Sequence, residues 1–270
     1  MKEFGLLGKK LGHSFSPIIH KNILKEIRID GQYQLYECKK EELGKKLQEL
    51  RGYGVCGLNV TIPYKVEIMK YLDKISQEAK NIGAINTISF IDGKTIGYNT
   101  DYHGFGMMLI RENISIKNKK GLVLGSGGAS KAVVQYLIDN EIAEIIIASR
   151  DSTKTKERYR DLHVIDYDKI QDLKSYDIII NATPCGMFPH VDNSPVEKND
   201  LSNFHTAIDL IYNPHETLFL KHAKESGLRA INGLYMLVGQ AIKAQEMWNN
   251  LEIDLDTCNR IYNNILSHKN

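Results

Sequence analysis

One short segment in the first quarter of the chain carries three side chains that could do chemistry. Its sequence, GLNVTIPYK, alternates apolar and polar residues, which predicts a strand whose apolar side chains, Ile62 among them, face a core. Asn59 and Thr61 then point the other way, and Pro63 ends the strand because it has no N–H to donate. Lys65 follows at once, so an amide, a hydroxyl and an ammonium leave one strand end together. Such a set could bind and act on a small polar molecule.

A second group of polar side chains lies at a predicted helix start. In GHSFSP, Ser16 is the expected N-cap and Pro17 the first helical residue, while Ser14 has no role in capping. A carboxylate docked there would gain hydroxyl hydrogen bonds and the helix dipole, and each charge-assisted bond contributes roughly 1.5–3 kcal/mol. The two serines therefore predict a carboxylate site.

Two further segments, IGAINT and GYNTD, place Asn86 and Asp101 at the edges of predicted strands. Reduction of a carbonyl needs a hydride at carbon and an acid beside the oxygen, and the reverse reaction needs a base there. Lys65 and Asp101 near that oxygen could supply both, with the lysine exchanging the proton and the carboxylate orienting it. Because a carboxylate favours the charged form of a lysine, Lys65 could instead act as a charged hydrogen-bond donor.

The second half of the chain contains a pattern typical of nucleotide binding. A buried strand, GLVL, is followed by the turn GSGGAS, an amphipathic helix and a second buried strand, EIIIA. Glycines let a pyrophosphate approach the backbone, and the N–H groups that open the helix favour an anion. Ser130 stands at the third glycine position of the usual motif and is small enough for the helix to pack on the strand.

The residues at the end of the second strand determine whether NAD or NADP is preferred. NAD-binding proteins place a carboxylate there for the ribose, whereas Arg150 offers a planar fork suited to the 2′-phosphate of NADP. Thr153 and Lys154 can add a donor and a charge. Asp151 could repel a phosphate or orient Arg150, so NADP(H) is favoured over NAD but not established by these residues.

The order of predicted elements indicates an α/β protein with two domains. We expect a substrate-binding domain over 1–101, completed by 233–270, and a Rossmann-type doubly wound NADP-binding domain over 102–232. A helix is predicted over 64–74 in the first domain. The C-terminal helix that starts near Gly233 is expected to return to the first domain, because the nucleotide-binding unit already has its complement of elements.

Composition excludes several classes of protein. The 270 residues carry a net charge of +2, which argues against a nucleic-acid partner. There is no long apolar run to span a membrane, no CxxC pair, and no HxH or HxxxH spacing that would predict a metal site. The four cysteines are expected to be reduced thiols in a cytoplasmic protein.

The chain resembles the shikimate dehydrogenase family over essentially its whole length. The motifs that carry this resemblance occur in order: GHSFSP, GLNVTIPYK, IGAINT, GYNTD, GSGGAS, NATPCGM, DLIYNP and NGLYMLVGQA. The resemblance implies reversible reduction of 3-dehydroshikimate to shikimate by NADPH in aromatic amino acid biosynthesis, by a monomer or a homodimer. Lys65 and Asp101 are then the implied catalytic residues. The implied substrate-binding residues are Ser14, Ser16, Asn59, Thr61, Asn86, Tyr212 and Gln240. The implied cofactor-binding residues are Gly125, Ser126, Gly127, Gly128, Ala129, Ser149, Arg150, Thr153, Lys154, Thr183, Leu210 and Gly233.

Three alternatives stay open at this point. A quinate/shikimate dehydrogenase could use NAD and a substrate with one more hydroxyl, and Asp151 is compatible with it. A non-catalytic dinucleotide sensor would not need Lys65 and Asp101. A folate-linked dehydrogenase of similar architecture would not need Ser14 and Ser16.

Overall fold

The computed structural model describes residues 1–12 and 14–267 and divides into two compact units. Unit 1 comprises Met1–Phe105 with Val238–Asn270, and unit 2 comprises Gly106–Leu237. Two helices, α4 (Thr100–Arg111) and α8 (Leu234–Asn249), contain the points of division. No helix in the described ranges combines the length and apolar character needed to cross a bilayer.

Unit 1 is built on a six-stranded mixed sheet in the order β2-β1-β3-β5-β6-β4. Strand β1 pairs in parallel with β2 and β3, whereas β5 is antiparallel to both β3 and β6. The strands are β1 (Lys2–Gly8), β2 (Gly31–Glu37), β3 (Gly57–Val60), β4 (Lys74–Ile75), β5 (Thr87–Ile91) and β6 (Lys94–Tyr98). Its other helices are α1 (Ser16–Glu26), α2 (Leu43–Gly52), α3 (Gln77–Ile82) and α9 (Leu255–Ser267).

The C-terminal helix returns to the sheet of unit 1, as the sequence predicts. The indole of Trp248 in α8 stacks on Phe4 of β1 at 5.0 Å and donates a 3.0 Å hydrogen bond to the carbonyl of Ile88 in β5. A Cβ at Gly57 would lie 2.1 Å from the Trp248 Nε1 atom, so only glycine lets β3 pass beneath this ring.

Unit 2 is a doubly wound sheet of six parallel strands in the order β12-β11-β10-β7-β8-β9. The strands are β7 (Lys120–Leu124), β8 (Glu144–Ala148), β9 (His163–Ile165), β10 (Ile178–Asn181), β11 (Thr206–Asp209) and β12 (Arg229–Ile231). Its further helices are α5 (Gly128–Asp139), α6 (Ser152–Arg158) and α7 (Leu218–Glu225). The central strands are almost continuously buried, as expected of a parallel sheet covered on both faces.

Two local predictions for unit 1 are wrong. Strand β3 ends at Val60, and the Ile62 side chain is 73% exposed, not in a core. The helix predicted over 64–74 is replaced by a 3-10 turn, Glu67–Tyr71, and strand β4. Tertiary contacts decide both outcomes: the Tyr64 hydroxyl donates to the Cys38 carbonyl at 2.7 Å, which buries Tyr64 where Ile62 was expected.

Candidate functional site

An ion pair joins the two predicted catalytic side chains. Lys65 lies five residues beyond β3, and Asp101 is the second residue of α4. The Lys65 Nζ atom is 2.5 Å from the Asp101 Oδ2 atom, and the two side chains are only 18% and 13% exposed. A backbone bond from Ile85 N to the Lys65 carbonyl, at 2.8 Å, holds the loop in place.

Asn86 links this pair to a buried cluster of polar groups. Its Nδ2 atom donates a 2.8 Å hydrogen bond to Asp101 Oδ1, so both carboxylate oxygens have a partner. Its Oδ1 atom accepts from the backbone N–H of Thr100 at 2.7 Å, which fixes the orientation of the amide. The Thr100 hydroxyl lies 2.9 Å from the Thr87 hydroxyl and 3.4 Å from Gln240 Oε1, so Gln240 of α8 belongs to the same cluster.

Asn59 lies beside this cluster, and its side-chain amide forms hydrogen bonds with other groups of the protein. It is 5% exposed, and its Nδ2 atom donates to the Asn86 carbonyl at 3.3 Å and to the Thr87 hydroxyl at 3.0 Å. Its Oδ1 atom accepts a 2.8 Å bond from the hydroxyl of Tyr33. The Tyr33 ring stacks on His20 at 4.0 Å, and burial lowers the pKa of that histidine to about 3. Asn59 is thus placed to position other residues.

The two serines are arranged differently from the expectation. Helix α1 starts at Ser16, Phe15 is the N-cap residue, and no side chain caps the helix. The Ser14 hydroxyl, which precedes the N-cap position, accepts the N–H of Ser16 at 3.2 Å. The Ser16 hydroxyl instead bonds Tyr33, where it opposes the rise in the tyrosine pKa that burial causes. Both hydroxyls remain at the start of α1, where the helix dipole favours a carboxylate.

The glycine turn of unit 2 has the geometry of an anion site. Gly125 has a φ of +94°, a conformation that glycine adopts readily and other residues rarely do. A Cβ atom added at this position would lie 2.7 Å from the Thr183 side chain. The Ser130 hydroxyl donates to the Gly125 carbonyl at 2.7 Å and closes the turn onto α5. Helix α5 begins at Gly128 with Gly127 as its N-cap, so the free N–H groups of its first turn come directly after the glycine turn.

A cavity of about 730 Å³ opens beside this turn. Its size and its position at the carboxyl ends of β7, β8 and β10 suit a dinucleotide. Among the predicted cofactor residues, those that line the cavity are Gly125, Ser126, Gly127, Ser149, Arg150 and Thr183. Gly128, Ala129, Thr153, Lys154, Leu210 and Gly233 lie in the neighbouring turn, helix and strand ends.

Three hydroxyls meet where β8 ends. The Thr155 hydroxyl of α6 donates to Ser149 at 2.8 Å and lies 3.1 Å from the Ser126 hydroxyl. Asp151 is the N-cap of α6, because its carboxylate accepts the N–H of Lys154 at 3.0 Å. The carboxylate that left the choice of cofactor open is therefore engaged with its own helix.

A buried network organises the ends of β10 and β11. Asp209 is fully buried and accepts hydrogen bonds from Asn181 at 3.0 Å and from Thr217 at 2.6 Å. Burial raises its pKa to about 7, and these bonds oppose that rise. Next to it, a Cβ at Gly233 would lie 2.1 Å from the Leu210 carbonyl oxygen, so this contact requires glycine.

Comparisons with known proteins agree with this arrangement. Residues 6–88 match the shikimate dehydrogenase substrate binding domain, and residues 108–210 match shikimate / quinate 5-dehydrogenase. A Clostridium perfringens protein named shikimate dehydrogenase (NADP(+)) is 46% identical over 264 residues, which cover 97% of each chain. The chain belongs to the shikimate dehydrogenase family.

Solved structures extend the similarity to shikimate dehydrogenases in three dimensions. A chorismate mutase/shikimate 5-dehydrogenase fusion protein from Clostridium acetobutylicum has 49% identity and a TM-score of 0.97, covering 100% of this chain and 98% of that one. Shikimate 5-dehydrogenase from Thermus thermophilus, in complex with NADP(H) and shikimate, has 31% identity and a TM-score of 0.89, covering 98% and 100%. The predicted family, fold class and oxidoreductase class are thereby confirmed, and the predicted cofactor is the one named for the Clostridium perfringens and Thermus thermophilus proteins.

For this shikimate dehydrogenase family member, the structure joins predicted residues that are far apart in the sequence. Lys65, Asn86, Asp101 and Gln240 share one polar cluster of unit 1. Thr61 follows β3 at the same strand end, while Tyr212 lies in unit 2, where burial raises its pKa. The described residues contain no group of histidine, cysteine and acidic side chains that could hold a metal ion.

Sequence reasoning missed several polar residues of these sites. Thr87 and Thr100 occur inside the quoted motifs, but nothing in the sequence shows that their hydroxyls meet. Tyr33 lies in an otherwise ordinary strand, and Thr155 lies in a helix whose other residues are mostly exposed. Only their contacts in the folded chain reveal them.

Proposed function

We propose that this protein catalyses the reversible reduction of 3-dehydroshikimate to shikimate by NADPH, with Lys65 and Asp101 acting at the reacting oxygen. The observation that carries this proposal is the 2.5 Å contact between the ammonium of Lys65 and the carboxylate of Asp101. A scaffold gains little from an isolated ion pair, and this one is held by Asn86 within a cluster of side chains that can bind hydroxyls.

The chain's own residues account for the proton side of the reaction. NADPH, when bound, supplies the hydride that reaches the carbonyl carbon. Negative charge then develops on the oxygen, and the ammonium of Lys65 donates a hydrogen bond or the proton itself to it. Asp101 orients that ammonium, and its second oxygen stays bonded to Asn86 throughout. In the direction of oxidation the same pair receives the proton of the alcohol.

Substrate recognition follows from the charge and donors around this pair. We assign the substrate carboxylate to Ser14 and Ser16 at the start of α1, where two hydroxyls and the helix dipole favour an anion. The hydroxyl-binding role is assigned to Thr61, Asn86 and Gln240 of unit 1, where the Asn59 amide donates to the Asn86 carbonyl and so supports that residue. Tyr212 of unit 2 keeps the substrate-binding role that the family resemblance implies. NADP(H) is assigned to the cavity of unit 2, with Arg150 directed to the 2′-phosphate.

An assay of two substrates against two cofactors tests the proposal. We expect shikimate with NADP to give the highest kcat/KM of the four combinations. The reaction is measured by the absorbance of the reduced nicotinamide. Higher kcat/KM with quinate and NAD would favour the quinate/shikimate dehydrogenase alternative. An Asp101→Asn variant tests the role of the carboxylate, because the substitution removes the charge and keeps the shape of the side chain. Full turnover by this variant would contradict the assigned chemistry.

The proposal includes two statements on the state of the protein. The described cysteines are all free thiols, which supports a reducing compartment, the cytoplasm. A monomer or a homodimer stays the prediction for the oligomeric state, and sedimentation of the purified protein measures it.

A further inference from the structure

A group of positive side chains lies on the segment that follows β8. Of these, Arg150 lines the unit 2 cavity, and Arg158 bonds the carbonyl of Ser126, which also lines it. Arg150, Lys154 and Arg158 form no ion pair with a carboxylate in the part of the chain that the structure describes. Elsewhere in unit 2 such pairs are common, as at Lys119, Lys120 and Lys198. Two acidic side chains lie in the segment 150–158: Asp151 is engaged as the cap of α6, and Glu157 is exposed and forms no ion pair within the described residues. With four cations and two carboxylates, the segment carries a net positive charge.

Arg158 is the member of this group that contacts the glycine turn. Its Nη1 atom donates a 2.9 Å hydrogen bond to the carbonyl of Ser126, the second residue of the turn. A guanidinium has five N–H donors, so four remain after this bond. The bond also neutralises part of the negative potential of a carbonyl oxygen that would otherwise repel a phosphate.

Arg158 lies near the position that the adenosine ribose of a bound dinucleotide would occupy. In strand–turn–helix–strand units the adenosine ribose lies between the glycine turn and the end of the second strand. In this protein those two places are Ser126 and Ser149, and the Thr155 hydroxyl bonds both. Arg158 follows Thr155 by three residues in α6, so the two side chains are neighbours on the same helix face.

A second cation supports the presence of an anion at this position. Lys131, in the first turn of α5, is partly buried, and burial together with the charge of Arg158 lowers its pKa. Two cations that destabilise each other in the free protein would both gain from a phosphate placed between them.

We propose that Arg158 binds the 2′-phosphate of NADP(H) and, together with Arg150, determines the preference for NADP over NAD. This inference rests on the proposed function, because it concerns the cofactor assigned there. It also explains how the chain keeps an NADP site although Asp151 stands where a carboxylate could favour NAD: the second arginine comes from the last turn of α6.

Equilibrium binding of cofactors to an Arg158→Ala variant tests this role without turnover. We expect the Kd of NADPH to rise by about 10- to 100-fold, the range for one charge-assisted bond, and the Kd of NADH to change by less than about threefold. Lys156→Ala is the matched control, since it removes an exposed cation from the same helix. Calorimetry with adenosine 2′-monophosphate and adenosine 5′-monophosphate should show the loss only for the 2′-compound.

Each other outcome has a distinct meaning. Equal losses for NADPH and NADH would overturn the proposal and show that Arg158 only shapes the turn. Unchanged binding of both cofactors would overturn it as well. An Arg158→Lys variant that recovers part of the NADPH affinity supports it, because the charge is kept while the fork is lost. A parent protein that binds NADPH in this way but does not oxidise shikimate would refute the proposed function and leave the role of Arg158 intact.

Discussion

The hydroxyl of Tyr33 donates a 2.8 Å hydrogen bond to the Oδ1 atom of Asn59 and so fixes the amide that supports the proposed catalytic cluster. Asn59 in turn donates to the Asn86 carbonyl and to the Thr87 hydroxyl. The Tyr33 ring rests on His20, whose Nδ1 atom lies 2.9 Å from Gln245 Nε2. A strand of unit 1 that the motifs do not include therefore supports the proposed substrate site.

We expect Tyr33→Phe to lower the free energy of unfolding by about 1–2 kcal/mol, because the buried Asn59 oxygen loses its donor. The phenyl ring keeps the stack on His20, so the variant isolates the hydroxyl. Urea denaturation measures the loss, and KM for shikimate should rise more than kcat falls. Tyr33→Leu, which also removes the stacking, should be less stable than Tyr33→Phe. A phenylalanine variant as stable as the parent would show that the hydrogen bond has no net effect.

We expect Lys65→Ala to reduce kcat by roughly 10²–10⁴-fold with a smaller change in KM, which is the usual effect of losing an acid–base group. Steady-state kinetics with shikimate and NADP measure it. Lys70→Ala is a suitable control, because that lysine is exposed, pairs with Glu67 and lies over the Tyr71 ring, outside the polar cluster of Lys65. Near-normal turnover of the Lys65 variant would remove this residue from the chemistry.

We expect Arg150→Ala to weaken NADPH binding by about 10-fold or more and NADH binding much less, since a guanidinium fork matches a phosphate and gains little from a hydroxyl. Arg150 lines the cavity and is exposed, so the substitution should leave the stability unchanged. Fluorescence titration of both cofactors gives the ratio. Equal losses would mean that Arg150 does not read the 2′-phosphate.

We expect the stability of the protein to depend on the ionisation of Asp209. Burial raises its pKa from 3.8 to about 7, so the folded state holds a proton that the unfolded state has released between these values. Stability from this group is therefore greatest below about pH 4 and decreases as the pH rises to about 7, by up to about 4 kcal/mol. Above that range its contribution is constant.

Asp209→Asn should remove this dependence, because the amide keeps an acceptor for Asn181 and cannot ionise. Urea unfolding of both proteins at a series of pH values measures the difference. The variant should gain stability relative to the parent as the pH rises from about 5 to about 8. Parallel curves for the two proteins would show that Asp209 does not titrate in this range.

Much of this protein could be predicted from its sequence, because the signals are local. The glycine turn after GLVL, with a helix and a buried strand behind it, specifies a nucleotide-binding unit through the backbone demands of a few residues. The return of the C-terminal helix followed from counting the elements of that unit. Lys65, Asp101 and Arg150 could be predicted as site residues because charged groups that follow predicted strands are candidates for chemistry or binding.

Tertiary structure decided what local patterns cannot encode. Ile62 has the right period for a core strand, yet a turn after Val60 exposes it, and the N-cap of α1 is Phe15 although the pattern predicts Ser16. Tyr33 and Arg158 acquire their roles from partners 26 and 32 residues away. Periodicity reports which face of an element is apolar, whereas hydrogen-bond partners depend on where the chain brings distant groups together. That is the physical reason why the sequence predicted the elements and the chemistry, and the fold determined which side chains support them.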